Sequence, residues 1–150
     1  VLGLRPRVAA WLSAMIRQAE GHVLVYCDHS TIAEAAALTL EQMVAAHAHS
    51  FTGTKVEVLT GSTSKKVKDN LVHWFRSAPR KSWGQKKVLI ATATMATGTD
   101  GFDKVCDDLI LLHDTQDDSL RRQLVGRILP RGKADARRKK RFSRLVVGTP

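Results

Sequence analysis

Short apolar runs alternate with longer stretches whose apolar residues recur at helical spacing, and this alternation constrains the fold more than any other feature. Strands are predicted at His22–Cys27, Lys55–Thr60, Val88–Thr92, Asp108–His113 and Arg144–Val147. Helices are predicted at Arg7–Gln18, in the Ala-rich stretch ending near Ala48, in the stretch ending near Arg76, and at Ser119–Leu129. Strands that alternate with helices predict an α/β domain with a mostly parallel sheet covered on both faces.

One predicted helix has an apolar face that can be named residue by residue. The stretch that follows the Gly-Ser-Thr-Ser turn and ends near Arg76 carries Val67, Leu71, Trp74 and Phe75. These residues recur at close to the helical period, so we expect all four to face the sheet.

Composition fits one intracellular domain. The chain has 150 residues, of which 43% are hydrophobic, so it can bury a core. No apolar run approaches the ~20 residues that span a bilayer, and we find no signal peptide. We therefore expect a cytoplasmic protein, and a nucleoid-associated or a viral protein would both be compatible with this. Two cysteines, Cys27 and Cys106, are too few for a disulfide framework, so we expect reduced thiols. His47 and His49 would point to different sides of a helix, so we expect no metal site. Because the chain starts at Val1, we expect it to be part of a longer protein.

Positive charge is concentrated near the C-terminus. The net charge is +10, and the segment from Arg131 to Arg144 holds eight basic residues against the single acid Asp135. Such a block favours a phosphate-rich partner, with nucleic acid preferred. A solvated loop without a partner is the alternative for this segment, including its Arg137–Arg141 run.

Polar loops follow three of the predicted strands. In parallel sheets, ligands gather beyond the carboxyl ends of the strands. The loops Asp28–Ser30, Thr60–Ser64 and Thr92–Asp103 are rich in Ser, Thr, Gly and Asp, which suit contact with a phosphate backbone. The candidate nucleic-acid-binding residues in these loops are Asp28, His29, Ser30, Thr60, Gly61, Ser62, Thr92 and Thr94.

Two longer segments carry a family resemblance. "VLIATATMATGTDGFD" followed by "RRQLVGRILPRG" resembles motifs V and VI of superfamily 2 helicases, in the C-terminal of their two RecA-like domains. Thr92, Gly98 and Asp100 fit motif V. Gln123, Gly126 and Arg127 fit motif VI, which reads Gln-x-x-Gly-Arg-x-x-Arg. The resemblance extends over nearly the whole chain and implies a RecA-like three-layer sandwich over residues 1–150.

The resemblance also implies a role for each matched residue. Arg127 would act as an arginine finger on the γ-phosphate of ATP, since a guanidinium group stays charged and binds phosphate bidentately. Arg131 would be a second finger, although it comes four residues after Arg127 where the family has three. Gln123 would couple nucleotide to nucleic acid, Gly98 would allow close backbone approach, and Asp100 would contact the ribose. A buried salt bridge from Arg127 to Asp100 or Asp117 is the structural alternative.

Motifs for binding ATP itself are not found in this chain. No G-x-x-x-x-G-K-[ST] sequence occurs, since "TGSTSKK" lacks a second glycine before its lysine, and no Asp-Glu-x-His/Asp box occurs. "LILLHD" is best interpreted as the strand between motifs V and VI. We therefore expect ATP and Mg²⁺ to be bound mainly by an N-terminal RecA-like domain outside this chain, and the fragment alone to be inactive.

Several functional alternatives remain open from sequence. The basic loop Arg76–Lys87 contains Trp83, which either stacks on a base or packs against its own domain. Motif VI starts with Gln123, where DEAD-box RNA helicases have His, and this favours DNA over RNA. Beside half of an ATP-dependent helicase, the chain is compatible with a non-enzymatic nucleic-acid-binding module. A stand-alone nucleotide-binding domain is disfavoured because it would need a phosphate loop.

Overall fold

A computed structural model describes residues 4–19, 21–47, 51, 53–76, 86–92, 106–112, 122 and 141–144. In this described part the chain forms three helices and five strands. The helices are α1 (Pro6–Gln18), α2 (Ser30–Ala46) and α3 (Lys65–Arg76). The strands are β1 (His22–Tyr26), β2 (Thr54–Leu59), β3 (Lys86–Ala91), β4 (Cys106–Leu111) and β5 (Arg141–Arg144).

The five strands form one sheet in the order β2-β3-β1-β4-β5, and every neighbouring pair is parallel. β1 lies at the centre, where Val25 is in register with Ile90 on one side and Ile110 on the other. All five residues of β1 are buried, as expected for a strand that is covered on both faces.

Helices cover both faces of the sheet. On one face, α1 and α2 pack over a cluster that includes Leu12, Ile16, Val23, Val25, Ala36, Leu40, Val88, Ile90 and Ile110. On the other face, α3 packs over a cluster that includes Leu24, Tyr26, Leu59, Val72, Phe75, Leu89 and Leu109. Successive strand residues alternate between these clusters, because side chains in a strand point to opposite faces in turn. The predicted α/β, RecA-like three-layer sandwich is confirmed.

The inward face of α3 differs from the sequence-based expectation. Val67 was expected to face inward, but it is 47% exposed, whereas Val72 is buried. The buried face is centred on Val72 and Phe75, and one turn before Val72 the helical period reaches Lys68 rather than Val67. Val67 therefore lies beside this face in the first turn.

Boundaries differ by two or more residues in three strands. β3 begins at Lys86, two residues before the predicted start, and β4 occupies Cys106–Leu111 rather than Asp108–His113. β5 occupies Arg141–Arg144 rather than Arg144–Val147. The C-terminal end of the basic segment is thus a sheet strand paired with β4, in which Asp108 is in register with Arg141. Of the helix predicted at Ser119–Leu129, only Arg122 is among the described residues, and it is helical and exposed.

Candidate nucleic-acid interface

Main-chain hydrogen bonds align the carboxyl ends of the three strands that precede the polar loops. The N–H of Thr92 donates to the carbonyl of Leu59 at 3.1 Å, which joins the end of β3 to the end of β2. The N–H of Cys27 donates to the carbonyl of Ala91 at 2.9 Å, which joins the end of β1 to the end of β3. The loops after β2, β3 and β1 therefore begin side by side along one edge, which we call the carboxyl edge.

The loop after β1 is attached to the sheet by a side-chain hydrogen bond. The hydroxyl of Tyr26, a residue only 1% exposed, donates to Oδ1 of Asp28 at 2.7 Å. Asp28, His29 and Ser30 are exposed, and α2 begins at Ser30. The structure therefore places these three predicted residues on the surface of the carboxyl edge.

Hydroxyl groups within the loop after β2 hold it in a closed turn. Oγ1 of Thr60 lies 2.9 Å from Oγ of Ser62 and accepts the Ser62 N–H at 3.3 Å. The N–H of Thr60 donates to Oγ1 of Thr63 at 3.0 Å, and the Thr60 carbonyl accepts the N–H of Thr63 at 3.1 Å. Thr60 is only 4% exposed, while Gly61 and Ser62 are exposed. Among the predicted residues of this loop, Gly61 and Ser62 can reach a ligand, and Thr60 shapes the turn that presents them.

The first turn of α3 adds basic groups that were not predicted as site residues from sequence. Oγ of Ser64 accepts the N–H of Val67 at 3.3 Å, an N-terminal cap that starts the helix directly after the loop. Lys65 and Lys66 follow it and are exposed, and Lys68 is half-buried. The sequence "TGSTSKK" held a signal for these lysines. It lacks the second glycine of a phosphate loop, but it places two lysines shortly after Gly61 and Ser62.

Other predicted site residues are only partly accounted for. Thr92 lies at the carboxyl edge and is 7% exposed. The remaining predicted residues lie outside the described part of the chain, and these are Thr94, Gly98, Asp100, Gln123, Arg127 and Arg131. Their roles stay predictions from the resemblance.

Comparison with known protein families supplies the deciding observation. The family model described as "Helicase conserved C-terminal domain" matches residues 7–130 of the chain. The chain belongs to this family. The match includes Gln123 and Arg127 of the predicted motif VI and ends just before Arg131. No curated protein matches the chain.

At the opposite, amino end of the sheet of this helicase C-terminal domain, two lysines bind helix termini. Nζ of Lys86 donates to the carbonyl of Ile16 in the last turn of α1 at 2.7 Å. Nζ of Lys87 donates to the carbonyl of Trp74 in the last turn of α3 and lies 4.8 Å from the centroid of the Trp74 ring. Burial lowers the pKa of Lys87, and the charge of Lys55 adds to this shift. Both lysines were assigned to a basic loop by sequence, but they belong to β3 and are engaged within the helicase domain.

Both cysteines are free and buried, which confirms the prediction of unpaired thiols. Burial raises the pKa of the Cys27 thiol to about 12, and the nearby charge of Asp28 adds to the shift. Within the described residues, no group of three or more His, Cys, Asp or Glu side chains is arranged to hold a metal ion. None of the helices in that part has the length and apolarity needed to cross a membrane.

Proposed function

We propose that this chain is the second RecA-like domain of an ATP-dependent superfamily 2 helicase or translocase. In this proposal the carboxyl edge holds the backbone of a nucleic acid, with DNA favoured over RNA. The chain also supplies Arg127, with Arg131 as a second group, to ATP bound with Mg²⁺ on an N-terminal RecA-like domain. Membership in the helicase C-terminal domain family is the starting point.

The observation that carries the proposal is the alignment, at one edge, of the three strand ends from which polar loops begin. Hydroxyl and main-chain N–H groups are the usual partners of phosphate oxygens, and Ser30, Gly61 and Ser62 are exposed there. The N–H of Ser62 is already donated to Thr60, so we expect Ser62 to contribute through its hydroxyl. Lys65 and Lys66 add positive charge beside them. A backbone contact of this kind gives sequence-independent binding that weakens as salt rises.

Helix polarity supports an anion at the same edge. Both α2 and α3 begin at the carboxyl edge, and neither has an acidic residue in its first turn. The N-terminus of a helix carries partial positive charge and exposes main-chain donors, so it favours phosphate. Asp28 is the acid nearest to the start of α2, and its carboxylate accepts a hydrogen bond from Tyr26. We therefore expect Asp28 to shape the loop rather than to bind phosphate through its side chain.

The nucleotide side of the proposal follows the family resemblance. Arg127 would pair with the γ-phosphate across a cleft between the two domains, and Asp100 and Gly98 would lie against the ribose and the backbone near it. Gln123 would connect this cleft to the nucleic-acid side. An arginine finger is worth roughly 10³–10⁵-fold in turnover in other phosphoryl-transfer enzymes.

The test is ATP turnover by the polypeptide that joins this chain to the proposed ATP-binding domain, with and without single-stranded DNA. We expect turnover stimulated by DNA, loss of turnover in Arg127→Ala, and none from the 150-residue chain alone. DNA binding at the carboxyl edge without turnover by the longer polypeptide would favour the non-enzymatic binding module. Turnover by the chain alone would contradict the proposal that ATP is bound mainly by an N-terminal domain outside this chain.

A further inference from the structure

Tyr26 is fixed in position by the core of the domain. Its ring belongs to the buried cluster on the α3 face of the sheet, together with Leu24 and Leu59. Only 1% of the residue is exposed, so its hydroxyl has a defined place at the end of β1. The hydroxyl donates to Oδ1 of Asp28 at 2.7 Å, which ties an exposed carboxylate to a rigid support.

The charge of Asp28 matters because of where it lies. Asp28 follows β1 by two residues and stands at the carboxyl edge, on the same edge as the exposed Lys65 and Lys66. A carboxylate that moves freely at this edge repels a phosphate backbone. A carboxylate that accepts a hydrogen bond from a phenol hydroxyl is restrained in position, and part of its charge is balanced by the hydroxyl proton.

We infer that Tyr26 is a positioning residue of the nucleic-acid interface, whose hydroxyl holds the Asp28 carboxylate away from the phosphate backbone. This inference rests on the proposed function of the carboxyl edge. It assigns Tyr26 a role through Asp28 and not through contact with nucleic acid, since the tyrosine is buried.

The test is a double-mutant cycle on the binding of a fluorescent oligothymidine by the 150-residue chain. Tyr26→Phe keeps the ring and removes the hydroxyl, and we expect it to weaken binding at low salt by at most about fivefold. About fivefold is the effect of a whole unit charge a few Å from a phosphate in water, and the hydroxyl changes only the position of this charge. The loss shrinks as salt rises, because added ions screen the repulsion. In an Asp28→Asn background, Tyr26→Phe has no further effect, because the charge it would release is gone.

The outcomes separate this inference from the function it rests on. If the wild-type chain does not bind the oligonucleotide, the proposed function fails and the inference falls with it. If the wild type binds but Tyr26→Phe binds equally well, or weakens binding equally with and without the Asp28→Asn substitution, only the role of Tyr26 is overturned. Thermal unfolding of each variant shows whether the domain is intact, and a merely structural role for Tyr26 predicts a loss of binding that Asp28→Asn does not rescue.

Discussion

Lys86 and Lys87 are neighbours in β3, and their ammonium groups bind main-chain carbonyls of two helices on opposite faces of the sheet. Because successive strand residues point to opposite faces, one lysine reaches the last turn of α1 and the other the last turn of α3. A cation at the C-terminal end of a helix pairs with its unsatisfied carbonyls and with its dipole. These two hydrogen bonds thus connect α1 and α3 to β3 at the end of the sheet opposite to the proposed interface.

Removing the hydrogen bond from Lys87 to the last turn of α3 should destabilise the domain. Lys87→Met keeps most of the aliphatic side chain and loses the ammonium group, so we expect the free energy of unfolding to fall by about 1 kcal/mol. Lys66→Met is the matched control, since it removes a cation from the N-terminal end of α3, where the dipole disfavours it. Urea denaturation measures both variants, and an equal loss in the two would contradict the assignment of Lys87 as a helix cap.

DNA binding should depend on the hydroxyl group of Thr60 more than on the volume of its side chain. Thr60→Val keeps the volume but removes the acceptor for the N–H of Ser62, so the turn that presents Gly61 and Ser62 loosens. We expect weaker binding of single-stranded DNA by Thr60→Val, by roughly fivefold for the loss of about 1 kcal/mol of hydrogen bonding. Thr60→Ser keeps the hydroxyl and should bind like the wild type in a fluorescence anisotropy titration. Weakening in Thr60→Ser but not in Thr60→Val would point to packing of the methyl group instead, because Ser lacks that methyl group and Val keeps it.

Ionisation of the Cys27 thiol should make the free energy of unfolding depend on pH in the alkaline range. Its pKa is raised from 9.0 to about 12 in the folded protein, so the unfolded thiol loses its proton first as pH rises. The resulting contribution to stability is complete below pH 9.0 and is lost as pH rises through about 12. We expect the difference in free energy of unfolding between the wild type and Cys27→Ala to shrink across this window. A difference that stays constant from neutral pH to about 11 would show that the folded and unfolded thiols ionise alike.

The two arginines of the predicted motif VI should differ in their effect on turnover. In the polypeptide that carries both proposed domains, we expect Arg127→Ala to lower DNA-stimulated ATP turnover by roughly 10³-fold or more. Arg131→Ala measures whether the displaced second arginine acts as a finger, and a comparable loss would establish that role. Oligonucleotide binding without nucleotide is the control. Normal turnover in Arg127→Ala would remove the arginine-finger assignment.

Sequence reasoning predicted the sheet well because its signals were strong and local. The β-branched run at β1 favoured a buried strand, and parallel strands place their following loops at one edge. Lys86 and Lys87 were missed as strand residues, because their ammonium groups bind helix termini that sequence does not show. The burial of Thr60 was hidden for the same reason, since a Thr-Gly-Ser turn looks solvent-exposed until its internal hydrogen bonds are seen.

The central claim is that nucleic acid binds at the carboxyl edge, and the salt dependence of oligothymidine binding tests it most directly. For a single strand, the logarithm of the binding constant falls linearly with the logarithm of the salt concentration. Each phosphate that the protein neutralises adds about 0.7 to the magnitude of this slope. We expect Lys65→Met combined with Lys66→Met to make this slope shallower by about 1.4. Lys55→Met combined with Arg76→Met, which removes two exposed cations towards the amino end, should leave it unchanged. An unchanged slope in the first pair, or an equal change in the second, would contradict the placement of nucleic acid at the carboxyl edge.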